Sequence, residues 1–303
     1  MQKSDFKLLN ADAFELFFRY SEHAPRVSCE VLWSNLQLYM DTYNWHYLAD
    51  GEYLWIVSFD QQYLFYPLGG DIAPERLLDW LKNFAECCPG EFTLGDVPPD
   101  YQQKFPQAAE YLALTADPGE ADYIYDLSHL QAFSGSKLRK RHNQVRQFER
   151  EYENNYRVES ITVESLPEII DFSAALSAEY WADGSGLEEK LAMERLPELW
   201  SRSQHGLLGV MLRVREQLAG FAICGRTWQN MAVVHFEKAD HKYRGCGAKL
   251  TAALTEYLLQ NGFCKMNREQ DLNDPGLRRA KQALDPEYLY CRQTLNVPEG
   301  LLK

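Results

Sequence analysis

The chain has 303 residues, 46% of them apolar and 25% charged, with a formal net charge of −13 at pH 7. This balance excludes a disordered chain, and the length suits two domains better than one. The acidic total excludes a protein that coats DNA or other nucleic acid with its whole surface.

The first twenty residues contain no apolar stretch of signal-peptide length, and no run of about 18 apolar residues occurs anywhere. No integral membrane segment is therefore expected, and the protein should be cytoplasmic. Seven cysteines, with Cys87 and Cys88 adjacent, lack paired Cys-x-x-Cys spacing and fit free thiols in a reducing compartment.

Residues 12–20 and 28–43 repeat apolar side chains at helical spacing, first Phe14, Phe17 and Phe18, then Leu32, Leu36 and Tyr39 or Met40. Residues 47–66 read as a meander of short strands, broken at Asp50-Gly51 and at Asp60-Gln61-Gln62. A Pro67-Leu68-Gly69-Gly70-Asp71 loop then leads into a helix from about Pro74 to Cys87. That loop lacks basic residues and Gly-x-Gly spacing, so no phosphate site is expected there. Strand 92–94, a Pro98-Pro99 break, a short helix and strand 122–127 complete a first domain, taken as residues 1–135.

Residues 136–155 are expected to form a basic linking helix. Leu138, Val145, Phe148 and Tyr152 share one face, while Arg139, His142, Arg146 and Arg150 line another. Between Lys137 and Arg150 stand six Lys/Arg and one Glu, a local +5 that leaves −18 for the rest. The basic face is either a solvated surface or a wall that meets phosphates of a substrate.

The second domain, residues 156–303, opens with strand 157–162 and helices near 165–181 and 187–202. Strands at 207–214, 218–224 and 231–237 follow, the last ending at Glu237. Lys242-Tyr243-Arg244-Gly245-Cys246-Gly247 then precedes an amphipathic helix from Ala248 to Leu259. Bare amides, the positive helix end and the flanking cations suit an anion such as a pyrophosphate. The plainer alternative is an ordinary strand-to-helix turn. Strand 263–267, helix 275–284 and strand 288–293 close the chain.

The Lys242–Gly247 loop resembles the acyl-CoA loop of the GCN5-related N-acetyltransferases (GNATs), Arg/Gln-x-x-Gly-x-Gly/Ala, with Lys242 in the first position. Asn267-Arg268-Glu269-Gln270-Asp271-Leu272 and Pro275-Gly276-Leu277-Arg278-Arg279-Ala280-Lys281 narrow the resemblance. They are similar to the signature of the phosphatidylglycerol lysyltransferase C-terminal-like family, Asn-Arg-Glu-Gln-Asp-Leu-Gly then Gly-Leu-Arg-Lys-Ala-Lys. Asn273 replaces the family glycine, and Ala283-Leu284 replaces Ser-Tyr. The resemblance implies an α/β fold with mixed sheets and two tandem GNAT-like domains, the first a degenerate copy with no donor loop of its own.

It also implies acyl transfer from acyl-CoA or from aminoacyl-tRNA to an amine or hydroxyl on a small molecule or lipid headgroup. Such a reaction needs a held donor, a base and oxyanion donors. Lys242, Arg244, Gly245, Cys246, Gly247 and Ala248 are the donor-loop candidates. Glu237 is the candidate base, with His235 two residues earlier as a second catalytic candidate; a structural histidine and a Glu237 paired with Lys238 or a later arginine are the alternatives. Arg139, Arg146 and Arg150, with Asn267, Arg268, Glu269, Asp271, Arg278 and Lys281, are the candidates for binding substrate or a tRNA acceptor end. An Arg–Glu network that fixes a loop is the plainer reading of the latter group. No metal is expected at His235, Glu237 and His241. A non-catalytic sensor or scaffold that binds a nucleotide or metabolite is the rival function, and the oligomeric state is left open.

Overall fold

A computed structural model describes residues 1–133, 135–180, 186–202, 206–227 and 230–299. Two compact units emerge. One comprises residues 1–121 and the chain from Tyr290 on, and the other comprises residues 122–289.

The first unit is a six-stranded sheet in the order β1 (Lys7–Leu8), β2 (His46–Asp50), β3 (Tyr53–Ser58), β4 (Tyr63–Phe65), β5 (Phe92–Val97) and the chain's last strand, β13 (Gln293–Val297). Side chains alternate across a strand, and β3 is apolar at nearly every position because both of its faces are covered. Trp55 and Val57 join a core with α4 (Pro74–Cys87), where Trp55 stacks on Trp80 with ring centroids 3.5 Å apart. Leu54 and Ile56 join a second core with α1 (Phe14–His23) and α2 (Trp33–Leu38). The single helix expected over 28–43 is instead α2 followed by α3 (Met40–Tyr43), because Tyr39 leaves helical geometry and Asn44 ends α3 at φ 50°. Short helices α5 (Tyr101–Lys104) and α6 (Ala108–Tyr111) follow β5.

The second unit contains β6 (Asp122–Asp126), β7 (Tyr156–Ser160), β8 (Leu208–Val214), β9 (Gln217–Arg226), β10 (Met231–Ala239), β11 (Lys265–Asn267) and β12 (Tyr288–Tyr290), in the sheet order β12-β6-β11-β10-β9-β8-β7. Its helices are α7 (Leu127–Ala132), α8 (Arg139–Glu151), α9 (Leu166–Tyr180), α10 (Leu187–Glu194), α11 (Leu196–Trp200), α12 (Cys246–Gln260) and α13 (Pro275–Gln282). The end of the helix expected over 165–181, at Trp181, lies outside the described residues. β10 and β11 are parallel and joined through α12, as β4 and β5 are joined through α4; the other registered neighbours are antiparallel.

The expected domain limits of 1–135, 136–155 and 156–303 need correction in two places. β6 pairs with β11 in the second sheet, Met266 opposite Tyr125, while β13 pairs with β5 in the first, Leu295 opposite Leu94. Each half of the chain thus hands its last sheet strand to the other unit. The strand expected at 288–293 divides at Cys291-Arg292 for this reason. Residues 136–155 are also not a linker. Leu138 and Phe148 are fully buried in the core of the second unit against Leu250, Leu254 and Leu258 of α12.

Candidate functional site

β10 runs two residues past Glu237, to Ala239 opposite Gly220, so Glu237 lies within the strand rather than at its end. Lys238 can stay in the ladder because its ammonium is held by Glu189 and by Ser177 Oγ at 2.6 Å. The register slips between Val234 and Phe236, a bulge that re-aims the side chains around His235. His235, its side chain 1% exposed, meets Glu269 with Nδ1 3.0 Å from Oε1. Glu237 meets Arg268, with Nη2 2.8 Å from Oε2, and accepts from Thr251 Oγ1 of α12 at 3.3 Å. Both candidates on β10 thus engage consecutive residues of the loop after β11, where open sheets place ligands.

The Glu237–Arg268 pair is close but poorly aligned. Glu237 Oε2 and Arg268 Nη1 are both buried without a hydrogen-bond partner among the described residues. Atoms of this kind are few in native proteins and are met by water, an ion or a ligand, or have a role in chemistry. Glu269 itself sits at φ +57°, a left-handed conformation that a glutamate adopts only when its surroundings impose it. The Asn267 carboxamide imposes it, accepting from Glu269 N at 2.7 Å while its Nδ2 donates to Asp122 at 2.9 Å.

The other signature residues are spent inside the protein. Asn267 and Asp271 are fully buried. Asp271 accepts both prongs of the Arg278 guanidinium, at 2.7 and 2.8 Å, and the Tyr123 hydroxyl at 2.7 Å. Lys281, 6% exposed, donates to the carbonyls of Arg268 and Gln270. These contacts hold the loop that presents Arg268 and Glu269; Asn267, Asp271, Arg278 and Lys281 act as its frame.

This frame has a pH signature. The Arg278 hydrogen bonds hold the Asp271 carboxyl down at about 2. A folded value below the unfolded one contributes stability that is fully present above the unfolded value near 3.9 and is lost as pH falls towards 2. Asp271→Asn should therefore cost about 2 kcal/mol at pH 7 and much less near pH 2, a convergence read from urea unfolding at the two pH values.

The glycine loop is less open than its sequence suggests. Gly245 caps α12 at φ +84°, and a Cβ there would lie 2.8 Å from the Gln144 carbonyl oxygen and 3.2 Å from Phe148 Cβ, so α8 packs directly on the loop. Gln147 of α8, with its carboxamide turned so that the oxygen faces the guanidinium, accepts from Arg244 at 3.0 and 3.2 Å. Lys242 turns to Asp240, with Nζ 2.7 Å away, and its amide donates to the same carboxylate. The Cys246 amide donates to Tyr243 O at 3.0 Å. Its thiol, 2% exposed, donates to Ala219 O, and burial pushes it up to about 12, a neutral and unreactive state. The helix starts at Cys246, two residues before the expected Ala248, so Cys246 and Gly247 lie in its first turn, and Ala248 is buried. Arg244 and Gly245 do line an outward cleft of about 420 Å³ with Arg139, Lys140 and Gln144. Arg146 and Arg150 belong elsewhere, lining a broader recess with Glu149, Glu153 and Arg157. The structure thus brings Arg139 to the loop and leaves Arg146 and Arg150 away from it.

Residues 23–295 match the family model described as phosphatidylglycerol lysyltransferase, C-terminal. The chain belongs to this family. Among solved structures, a conserved protein of unknown function from Bacteroides thetaiotaomicron is 22% identical, with 98% of this chain and 100% of that one covered and a TM-score of 0.87. L-PGS from Bacillus licheniformis is 14% identical over 97% of this chain and 93% of its own, with a TM-score of 0.66. FemX is 10% identical over 93% and 95%, also with a TM-score of 0.66. These identities establish shared fold, the two tandem GNAT-like units expected from the sequence. No curated protein sequence matches the chain. Membership of the lysyltransferase C-terminal family supports a protein of the aminoacyl or acyl transferase kind. No helix among the described residues is long and apolar enough to cross a membrane.

The departure from the family signature at Asn273 has a backbone explanation. Asn273 sits at φ +60°, where glycine is free of strain and asparagine is among the better-tolerated alternatives.

One residue at the site escaped the sequence reading. Arg141 of α8 lies close enough to Arg268 for burial, first, and then the Arg268 charge to lower its affinity for a proton, while Glu237 and Tyr125 act in the opposite sense. Arg141 thus lies within electrostatic range of the Glu237–Arg268 pair, with Glu269 as a second carboxylate of the same loop. The signal was present: positions 138, 141, 145, 148 and 152 follow the spacing of one helical face, and Arg141 is the charged member of that apolar stripe.

Proposed function

We propose that this protein is a transferase that takes an aminoacyl group from aminoacyl-tRNA and passes it to an amine or hydroxyl acceptor. The observation that supports a tRNA donor over acyl-CoA is the packing of α8 on Gly245. The α8 carbonyl against Gly245 and the bonded amides of Lys242, Tyr243 and Cys246 disfavour a pyrophosphate buried in the loop, while Arg139, Lys140 and Arg244 turn to an outward cleft suited to a phosphodiester chain. The lysyl transfer in the name of the family is consistent with an aminoacyl donor.

In this reading Arg268 Nη1 and the Arg141 guanidinium stabilise the oxyanion as the acceptor attacks the aminoacyl ester carbon. Glu237 accepts the proton of the acceptor as the new bond forms. The tRNA ribose oxygen leaves as the old ester breaks, and it takes a proton in its turn. His235 and Glu269 keep the loop and strand in register. The acceptor is a soluble small molecule or a lipid headgroup, and the protein works in the cytoplasm.

Binding of a mixed aminoacyl-tRNA pool at low and moderate salt tests the donor half of the proposal. Removing three cations with Arg139→Ala, Lys140→Ala and Arg244→Ala together should weaken binding at least about tenfold and flatten its salt dependence. An unchanged affinity and salt slope would argue against this cleft as the tRNA contact. Gly245→Glu is a poor probe because any side chain there collides with α8.

A further inference from the structure

The first unit carries a cavity that the transfer reaction leaves unassigned. It has a volume of about 380 Å³, within the range of small-molecule sites. One wall is an unbroken series of aromatic rings. Tyr39 meets Tyr43 at 6.2 Å between centroids, Tyr43 meets Trp45 at 5.0 Å, Trp45 meets Phe65 at 5.0 Å, and Phe65 meets Tyr63 at 5.2 Å. All five rings line the cavity.

The charged part of the lining is mostly acidic. Glu30, Asp117 and Glu120 contribute three carboxylates against the single guanidinium of Arg292. That guanidinium is 4% exposed and already held by Glu30 at 3.1 Å and Glu120 at 3.3 Å, so it balances its neighbours rather than attracting an anion. Burial, and then the Glu30 charge, push the Tyr63 phenol up and keep it neutral. Trp45, 5% exposed, gives its ring to the middle of this aromatic wall.

From this combination we infer that the cavity binds a small organic cation, an aliphatic ammonium. The aromatic faces attract the ammonium and pack its stem, and the excess carboxylate charge selects its sign. The inference stands apart from the donor reading above, since none of these residues belongs to the Glu237–Arg268 site.

Calorimetric titration of the whole protein with 5-aminopentan-1-ol tests it, with 1-pentanol and glutarate as neutral and anionic controls. The amino alcohol should bind saturably and roughly tenfold or more tighter than 1-pentanol, with glutarate inert. Asp117→Asn with Glu120→Gln should weaken the amino alcohol by roughly tenfold while leaving thermal unfolding in place. Tyr39→Leu, at a half-buried position, should weaken it without altering the sign preference. The absence of saturation, 1-pentanol binding within about twofold of the amino alcohol, tighter binding of glutarate, or an unchanged affinity in the doubly neutralised variant would each overturn the assignment.

Discussion

Deleting residues 291–303 should unfold the first unit while the second keeps its structure. Leu295 and Val297 of β13 are each 2% exposed, and burying two such side chains is worth about 4 kcal/mol, a large share of a domain's net stability. The deletion also removes Arg292 from between Glu30 and Glu120 and strips β5 of its edge partner. The first unit's transition should fall by about 15 °C or vanish. Hydrogen exchange resolves the two sheets: amides of β3, β4 and β5 should lose protection while those of β9 and β10 retain it. Equal protection before and after deletion would show that the pairing of β13 is dispensable.

The second large effect is expected at Arg268. Arg268→Met leaves the Glu237 carboxylate, 16% exposed, without its ion pair, which should cost about 2 kcal/mol of stability. In the proposed mechanism it also removes an oxyanion donor, so transfer should fall by about 10²- to 10³-fold. Adding Glu237→Gln should restore most of the stability and none of the turnover. A sensor or scaffold predicts a different pattern, because Glu237→Gln alone would leave its ligand affinity and cellular role intact. Measuring stability and turnover on the same four proteins separates the two functions.

The parts of this architecture that local physics controls were legible in the sequence. Helix 74–87 has its proline at the first turn and its apolar stripe, and the strand at 231–237 has its run of buried β-branched residues. What escaped depends on neighbours distant in sequence. The apolar run that opens residues 288–293 marks extended backbone but does not say which sheet receives it, so the division at Cys291-Arg292 and the exchange of β6 for β13 were invisible. The Gly245 loop carries a phosphate-binding pattern, yet its meaning changed once α8 was found against it. The signature from Asn267 to Lys281 announced a dense polar loop; only the contacts separate Asp271 and Lys281, which brace it, from Arg268 and Glu269, which it presents.

The donor is the central claim, and thermal unfolding with each candidate tests it most directly. Uncharged tRNA serves as the control beside acetyl-CoA and aminoacyl-tRNA. A ligand present at about 100 times its dissociation constant stabilises by roughly 2.7 kcal/mol, a readily measured shift. The account predicts a shift with aminoacyl-tRNA that exceeds the shift with uncharged tRNA and fades in Arg268→Met, and none with acetyl-CoA. A clear shift with acetyl-CoA, and none with aminoacyl-tRNA, would contradict it and return the glycine loop to the role its sequence first suggested.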